Sequence, residues 1–266
     1  MVEELSVQSA NEGTQYLLDA LAGSSIKRFV LTASIGVFFD PDFSSIFDET
    51  TVYDHNTWNP IESIDPRKHI PSYAYIASKI TSEKLFCNAA EKYPRIDFTV
   101  IMPSSVYSWY LKDHPIPQNT DEPNVNQFLY QLIRPNDASF PNYPLADLVH
   151  NRDVAKAHVR ALTAPALPQG QKKRLIVSGG YMTRADMIAF LKVPETVVKL
   201  SARGRDIIGR SPPVTTAPRQ SLFRLDASLT ESVMGMKKEN NVSWQEILLE
   251  LFPAMMDWEK EHSQSL

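Results

Sequence analysis

The sequence predicts an α/β protein built on a parallel sheet. Two observations carry this prediction: helix-like and strand-like segments alternate along the chain, and the strand-like segments are short, nearly continuous apolar runs. The composition agrees, because 43% of the 266 residues are hydrophobic and 22% are charged, as is usual for a globular protein.

The first predicted elements are a helix, a strand and a long loop. Residues 6–22 carry leucines on one side and end before Gly23, a residue typical of helix C-caps. The apolar run over 27–34 is typical of a parallel strand covered on both faces. Residues 35–71 contain four prolines and many polar residues, so we predict a loop of the length that is often functional.

The alternation continues with a helix over 73–92 and a buried strand over 97–102, each followed within two residues by proline. Residues 107–147 contain six prolines and several aromatic residues, which predicts an irregular cover with one helix near 125–133. The remaining predicted elements are a helix over 152–163, a strand over 174–178, a helix opened by a Thr183–Asp186 capping box and a helix from Ser243 toward Trp258, opened by a Ser243–Glu246 capping box.

Charge and cysteine content exclude several classes of protein. The net charge of -4, from 27 basic and 31 acidic residues, gives no basic field for nucleic acid or anionic lipid. The single cysteine, Cys87, forms neither an internal disulfide nor a Cys/His metal cluster. The chain has no signal-peptide pattern at its start and no apolar run long enough to span a bilayer. We therefore predict a cytoplasmic protein with no metal, nucleic-acid or membrane partner.

Tyr75 and Lys79 are the first candidates for chemistry. Their four-residue spacing in the predicted helix places both side chains on one face, about 5–6 Å apart at Cβ. An ammonium beside a tyrosine favours the phenolate, which suits a group that donates a proton to a developing alkoxide. By itself the pair is better explained by an amphipathic helix with a solvated lysine. A catalytic interpretation of the pair therefore depends on the residues around it in the predicted fold.

Ser34 supplies that context. It ends the predicted strand 27–34, and open α/β sheets bind ligands beyond the carboxyl ends of their strands. A hydroxyl there can hydrogen-bond a substrate carbonyl as charge develops on its oxygen. Tyr75 and Lys79 open the following helix, and the strand after it ends in Pro103-Ser104-Ser105-Val106.

Five stretches, spanning most of residues 1–190, share their order and spacing with a known family. They are Glu12-Gly13-Thr14 with Leu17-Leu18, Lys27 to Ser34, Tyr75-Ile76-Ala77-Ser78-Lys79, Pro103 to Val106, and Arg152-Asp153-Val154-Ala155-Lys156-Ala157-His158. Each stretch is weak alone. Together they resemble the extended short-chain dehydrogenase/reductases, in the branch of dihydroflavonol reductases, cinnamoyl-CoA reductases and fungal aldehyde or ketone reductases.

The resemblance implies a Rossmann-type sheet and a role for each candidate. Ser34 would orient the substrate carbonyl, Tyr75 would donate the proton, and Lys79 would bind the nicotinamide ribose and assist Tyr75. Tyr75 and Lys79 would therefore also contact the cofactor, which is NADPH by family preference, with NADH not excluded. The main chain lining the nicotinamide would come from Pro103, Ser104, Ser105 and Val106.

The same resemblance reveals a missing element. The family begins with a strand and a glycine-rich turn that holds the cofactor pyrophosphate, whereas the 9 glycines here form no such motif. We therefore expect an N-terminally shortened Rossmann-type domain that lacks its first strands and binds nucleotide weakly. We also expect strand 27–34 to be an open apolar edge through which copies of the chain could associate.

The predicted organisation is a partial dinucleotide-binding domain over 1–190, with an inserted lid over 107–147, and a smaller substrate-side part over 191–266. The predicted function is NADPH-dependent reduction of a ketone or aldehyde on a small metabolite, in specialised metabolism. Two alternatives stay open: an epimerase or dehydratase of the same family, and a non-catalytic remnant unable to bind the dinucleotide.

Other notable residues receive structural interpretations. His158 and Asp153 are interpreted as helix residues, Cys87 as a core residue, and Ser178-Gly179-Gly180 as a turn rather than a phosphate loop. The aromatic cluster Tyr107-Trp109-Tyr110 is predicted either to line a flat substrate pocket or to pack within the lid.

Overall fold

The structure, a computed structural model, describes residues 2–39, 46, 48–59, 71–109, 125–130, 147–168, 170–201 and 223–262. The chain divides into two compact units. The first unit consists of Met1–Ser104, Arg152–Ser178 and Ser221–Asn240, and the second of Ser105–Asn151, Gly179–Gln220 and Asn241–Leu266. The domain boundary that the sequence predicts at residue 190 stays a prediction.

The described helices and strands include each of the helices and strands that the sequence predicts. In chain order they are α1 (Val2–Asp19), β1 (Arg28–Thr32), β2 (Val52–Tyr53), α2 (Pro71–Lys92), β3 (Asp97–Pro103), β4 (Ser105–Tyr107), α3 (Val125–Tyr130), β5 (Asp147–His150), α4 (Asn151–Ala161), β6 (Lys173–Val177), β7 (Gly180–Tyr181), α5 (Arg184–Leu191), α6 (Pro194–Ser201), β8 (Arg224–Leu225), α7 (Ser228–Met234) and α8 (Trp244–His262). None of the described helices is long and apolar enough to cross a membrane.

A parallel sheet in the order β1-β3-β6 forms the centre of the first unit and confirms the predicted α/β class. β3 and β6 are almost entirely buried, as their apolar runs predict. β1 pairs only with β3 in the described part of the chain and is only partly buried, less than its apolar run predicts. Helices contact both of its faces, since Phe29 packs against Phe86 of α2 and Thr32, on the opposite face, bonds to His158 of α4. β1 ends at Thr32, two residues before Ser34.

Both predicted capping boxes are present. The Thr183 hydroxyl accepts a hydrogen bond from the Asp186 N–H at 3.1 Å, and the Thr183 N–H donates to the Asp186 carboxylate. At the start of α8, the Ser243 N–H donates to the Glu246 carboxylate at 2.9 Å. This backbone hydrogen bond holds the pKa of Glu246 below its ordinary value, because it favours the ionised carboxylate.

The second unit contains short strands that the sequence did not predict. β4 and β5 are parallel, and β7 runs antiparallel to β5. Tyr107 is buried in the core of this unit and Trp109 packs against it, which favours the packing interpretation of the aromatic cluster. Tyr110 and most of the predicted lid lie outside the described residues, whereas α3 confirms the helix predicted near 125–133. The core residues are Tyr107, Leu129, Leu148, Met182, Met187, Ile188, Leu191, Leu200, Ile247, Leu248, Leu251, Phe252, Met255 and Met256.

Gly179 confirms the interpretation of Ser178-Gly179-Gly180 as a structural turn. Its N–H donates to the Leu148 carbonyl at 2.7 Å, so this amide is not presented to a phosphate. A Cβ built on Gly179 would lie 2.6 Å from the same carbonyl oxygen and 3.2 Å from the Val242 carbonyl oxygen. Because backbone atoms lie this close on two sides, only glycine fits at this position without a shift of the backbone.

Replacing Gly179 with alanine should destabilise the protein by about 1–3 kcal/mol, because the added methyl group meets rigid backbone. Equilibrium urea unfolding measures the loss. Gly13→Ala is the matched control, since a Cβ at this position in α1 meets nothing within 4 Å. That variant should be neutral or up to about 1 kcal/mol more stable, because alanine is the better helix former. Equal stability of the two variants would contradict the packing described for Gly179.

A buried ion pair ties β6 to α2 and to the loop before α2. Arg174 and Glu83 are both fully buried, and the Arg174 Nε donates to Glu83 at 2.5 Å. The Arg174 Nη1 donates to the carbonyls of His55 and Thr57, and the guanidinium stacks 3.9 Å from the centroid of the Trp58 ring. Burial raises the pKa of the Glu83 carboxyl, and the charge of Arg174 offsets part of that rise.

Cys87 is buried, as predicted. Burial, together with the nearby Glu83 charge, raises the pKa of its thiol to about 11. The thiol is therefore protonated at neutral pH and is a poor nucleophile. Among the described residues, no group of three or more His, Cys, Asp or Glu is placed to hold a metal ion.

Candidate active site

Ser34 lies just beyond β1 and caps a 3₁₀ helix, Ile35–Phe38. Its Oγ accepts a hydrogen bond from the Gly36 N–H at 3.0 Å. A serine hydroxyl carries one donor proton besides its acceptor lone pairs, so this bond fixes the oxygen while the proton stays available to a substrate oxygen. The cap therefore orients Ser34 for the hydrogen bond that the sequence predicts.

Ser34 and Tyr75 converge over Gly36. A Cβ built on Gly36 would lie 3.2 Å from the Ser34 Oγ and 3.7 Å from the Tyr75 Cε1. Both side chains therefore border one small space, and a side chain at position 36 would crowd it. Gly36 is not among the predicted site residues, although a glycine two residues after a serine at a strand end signals such a close approach.

Lys79 lies beside Tyr75 on α2, as their spacing predicts. The Lys79 Nζ is 5.8 Å from the centroid of the Tyr75 ring, and it donates to the Thr32 carbonyl at 3.3 Å. Burial lowers the pKa of the Lys79 ammonium, because the charged form loses part of its hydration. Tyr75 is 50% exposed.

Pro103 and Ser104 lie at the carboxyl end of β3, next to the end of β1. The register pairs Thr32 with Ile101, so the two strands end at the same edge of the sheet. The Ser104 N–H donates to the Val177 carbonyl, and its buried Oγ has no hydrogen-bond partner among the described residues. A bound ligand or water would satisfy this oxygen.

The other two predicted main-chain contacts, Ser105 and Val106, belong to β4 in the second unit. The structure thus brings Ser34, Tyr75 and Lys79 together within the first unit. It also places Pro103 and Ser104 at the edge of the sheet where β1 ends.

These residues fit the nicotinamide end of a dinucleotide. Lys79 is a half-buried cation that would suit ribose hydroxyls, and the Ser104 Oγ is a buried polar atom left without a partner by the described residues. None of the 9 glycines forms the glycine-rich motif that would hold the pyrophosphate.

Comparison with known proteins places the chain in a family. The family model described as NAD dependent epimerase/dehydratase family matches residues 4–179. Cinnamoyl-CoA reductase 1 of Arabidopsis thaliana is 29% identical over an alignment of 168 residues, which covers 61% of this chain and 43% of that protein. Cinnamoyl-CoA reductase 1 of Oryza sativa subsp. japonica is 27% identical over 187 residues, covering 70% of this chain and 49% of that protein. The chain therefore spans about half the length of these curated relatives.

A solved structure shows the same fold. The yeast methylglyoxal/isovaleraldehyde reductase Gre2, complexed with NADPH, matches with a TM-score of 0.71 and 21% identity, over 94% of this chain and 70% of that chain. At this identity the likeness shows the fold, a Rossmann-type α/β architecture. The family match over most of the first 179 residues, in line with the sequence resemblance, shows that the chain belongs to the NAD dependent epimerase/dehydratase family.

Proposed function

We propose that this chain carries the catalytic residues of an NADPH-dependent reductase that acts on a ketone or aldehyde of a small metabolite. The observation that carries the proposal is the convergence of Ser34 and Tyr75 on one space, with Lys79 alongside. The reductases named among the relatives and the NADPH in the Gre2 complex support it. The same proposal includes a role in specialised metabolism, a cytoplasmic location and self-association through β1.

Each of the three side chains has a separate role in the reduction of a carbonyl group. The Ser34 hydroxyl donates a hydrogen bond to the carbonyl oxygen and orients it. The Tyr75 hydroxyl transfers its proton to that oxygen as the alcohol forms. The Lys79 ammonium would hold the ribose of the cofactor and would stabilise the phenolate left on Tyr75. The chemistry that NADPH would supply at this site is a hydride for the carbonyl carbon.

Lys79→Ala should weaken NADPH binding about tenfold or more, because a charge-assisted hydrogen bond to the ribose is lost. Calorimetric titration of the purified chain measures the dissociation constant, with Tyr75→Phe beside it as a variant that keeps the ammonium. Binding by the parent chain should also weaken as pH rises through the lowered pKa of Lys79, at a lower pH than for an ordinary lysine. Lys79→Arg should remove that pH dependence, since arginine keeps its charge.

The proposal fails if the parent chain binds no NADPH at millimolar concentration, an outcome that would favour the non-catalytic remnant. If NADPH binds, a panel of small aldehydes and ketones follows, with cofactor oxidation as the readout. Interconversion of a nucleotide sugar with no net cofactor oxidation would instead identify an epimerase. Weaker binding of NADH than of NADPH checks the cofactor preference.

A further inference from the structure

The peptide group between Thr32 and Ala33 is held from both sides. The Ala33 N–H donates to the Ile101 carbonyl of β3 at 2.8 Å. The N–H and C=O of one trans peptide point in opposite directions, so the Thr32 carbonyl faces away from β3. There it accepts the hydrogen bond from the Lys79 ammonium at 3.3 Å. The position of Lys79 therefore depends on how firmly the end of β1 is fixed.

His158 fixes this end of β1 through a side-chain hydrogen bond. Its Nε2 is 2.7 Å from the Thr32 Oγ1, and its Nδ1 is 2.8 Å from the Val154 carbonyl oxygen. A carbonyl only accepts, so Nδ1 carries the proton, and in the neutral ring Nε2 accepts from the Thr32 hydroxyl. The imidazole thus connects α4 to the last residue of β1.

The start of β1 is also tied to the end of α4 and to the residues that follow it. The Arg28 guanidinium donates to the Ala161 carbonyl at 3.4 Å and to the Ala164 carbonyl at 2.7 Å. It also forms an ion pair with Asp97 on β3. Arg28 lies at one end of β1 and Thr32 at the other. Side-chain hydrogen bonds therefore join both ends of the strand to α4 and the residues that follow it. Thr32 is the end that leads directly to Ser34.

We propose that His158 is a positioning residue for the candidate active site. It holds Thr32, the Thr32 carbonyl holds Lys79, and the same strand end sets the start of the Ser34 turn. Its effect on catalysis rests on the proposed function, whereas its effect on Lys79 does not. The sequence predicts a helix residue at His158, which is confirmed, but it carries no signal for this contact, because Thr32 is 126 residues away in the chain.

The chemical reactivity of Lys79 tests this directly in the full chain. Thr32→Val removes the hydroxyl and keeps the side-chain shape, and His158→Phe removes the ring nitrogens. In both variants we expect the rate at which a water-soluble acylating reagent modifies Lys79 to change severalfold, as read from peptide masses, because the exposure and the pKa of the amine both depend on its surroundings. Thr32→Ser keeps the hydroxyl, so Lys79 in this variant should be labelled at the parent rate. Lys237, an exposed lysine, serves as the reference within each sample.

A role in stability alone would change the melting temperature rather than the reactivity of one lysine. Thr32 is exposed, so losing its side-chain hydrogen bond should change the melting temperature little. Nitrogen NMR of the imidazole should show the proton on Nδ1 of His158 in the parent chain and a shifted Nε2 signal in Thr32→Val.

Unchanged Lys79 labelling in both Thr32→Val and His158→Phe would overturn the proposal, whatever the activity. A changed labelling rate in both variants, together with the parent rate in Thr32→Ser, would support it, even if the parent chain bound no NADPH and the proposed reductase function failed. Where the parent chain binds NADPH, the affinity of Thr32→Val should lie between those of the parent and of Lys79→Ala.

Discussion

Tyr75→Phe should lower kcat for carbonyl reduction by about 10²–10⁴-fold, because the variant lacks the hydroxyl that donates the proton. The ring stays in place next to Gly36, and the side chain is 50% exposed, so the folded structure should not suffer. Steady-state oxidation of NADPH with the best carbonyl of the panel gives kcat. Thermal unfolding of the same preparation shows whether the protein is intact.

Tyr16→Phe is the matched control for this variant. Tyr16 lies on α1, is 71% exposed and belongs to no candidate site, so its hydroxyl should be dispensable. The role assigned to Tyr75 would be wrong if Tyr75→Phe kept more than a small fraction of the parent kcat. It would be unsupported if Tyr16→Phe lost as much activity.

Arg174→Met should destabilise the protein by about 3–5 kcal/mol, the usual cost of leaving the partner of a buried ion pair uncompensated. Glu83 would stay buried without its counter-ion, and the carbonyls of His55 and Thr57 would lose their donor. Denaturant unfolding at equilibrium gives the free energy, with an unchanged slope showing that the unfolded state is comparable.

The double variant Glu83→Leu with Arg174→Met separates the ion pair from the rest of the interaction. Replacing both partners by apolar residues removes the buried charge, so the double variant should be more stable than Arg174→Met alone. Arg174→Met costing no more than an exposed ion pair, at most about 1 kcal/mol, would contradict the burial described for this cluster.

The sequence predicts the parallel sheet because its signals are local. The apolar runs that become β3 and β6 and the two capping boxes each depend on a few neighbouring residues. It predicts β1 less well, since partial burial depends on which strands flank it, and no pattern within residues 27–34 encodes that. The short β4 and β5 were missed because a strand of three or four residues barely shows a period.

In the candidate site too, the sequence predicts the local features and not the contacts between distant segments. Tyr75 and Lys79 share one helix, so their spacing alone predicts that they lie together. The contact of His158 with Thr32 joins distant segments, and single-sequence reasoning has no signal for it. Arg174 offered a signal that was not used, since an arginine opening an otherwise apolar strand requires a buried partner.

The one-sided pairing of β1 has a consequence for amide hydrogen exchange. The Ala33 N–H bonds to β3, so by strand alternation the amides of Val30 and Thr32 point away from it, toward an edge with no strand among the described residues. Deuterium should therefore enter β1 at every second amide within the dead time of the experiment. The amides of β3, which lies between two strands, should exchange only as the whole unit opens.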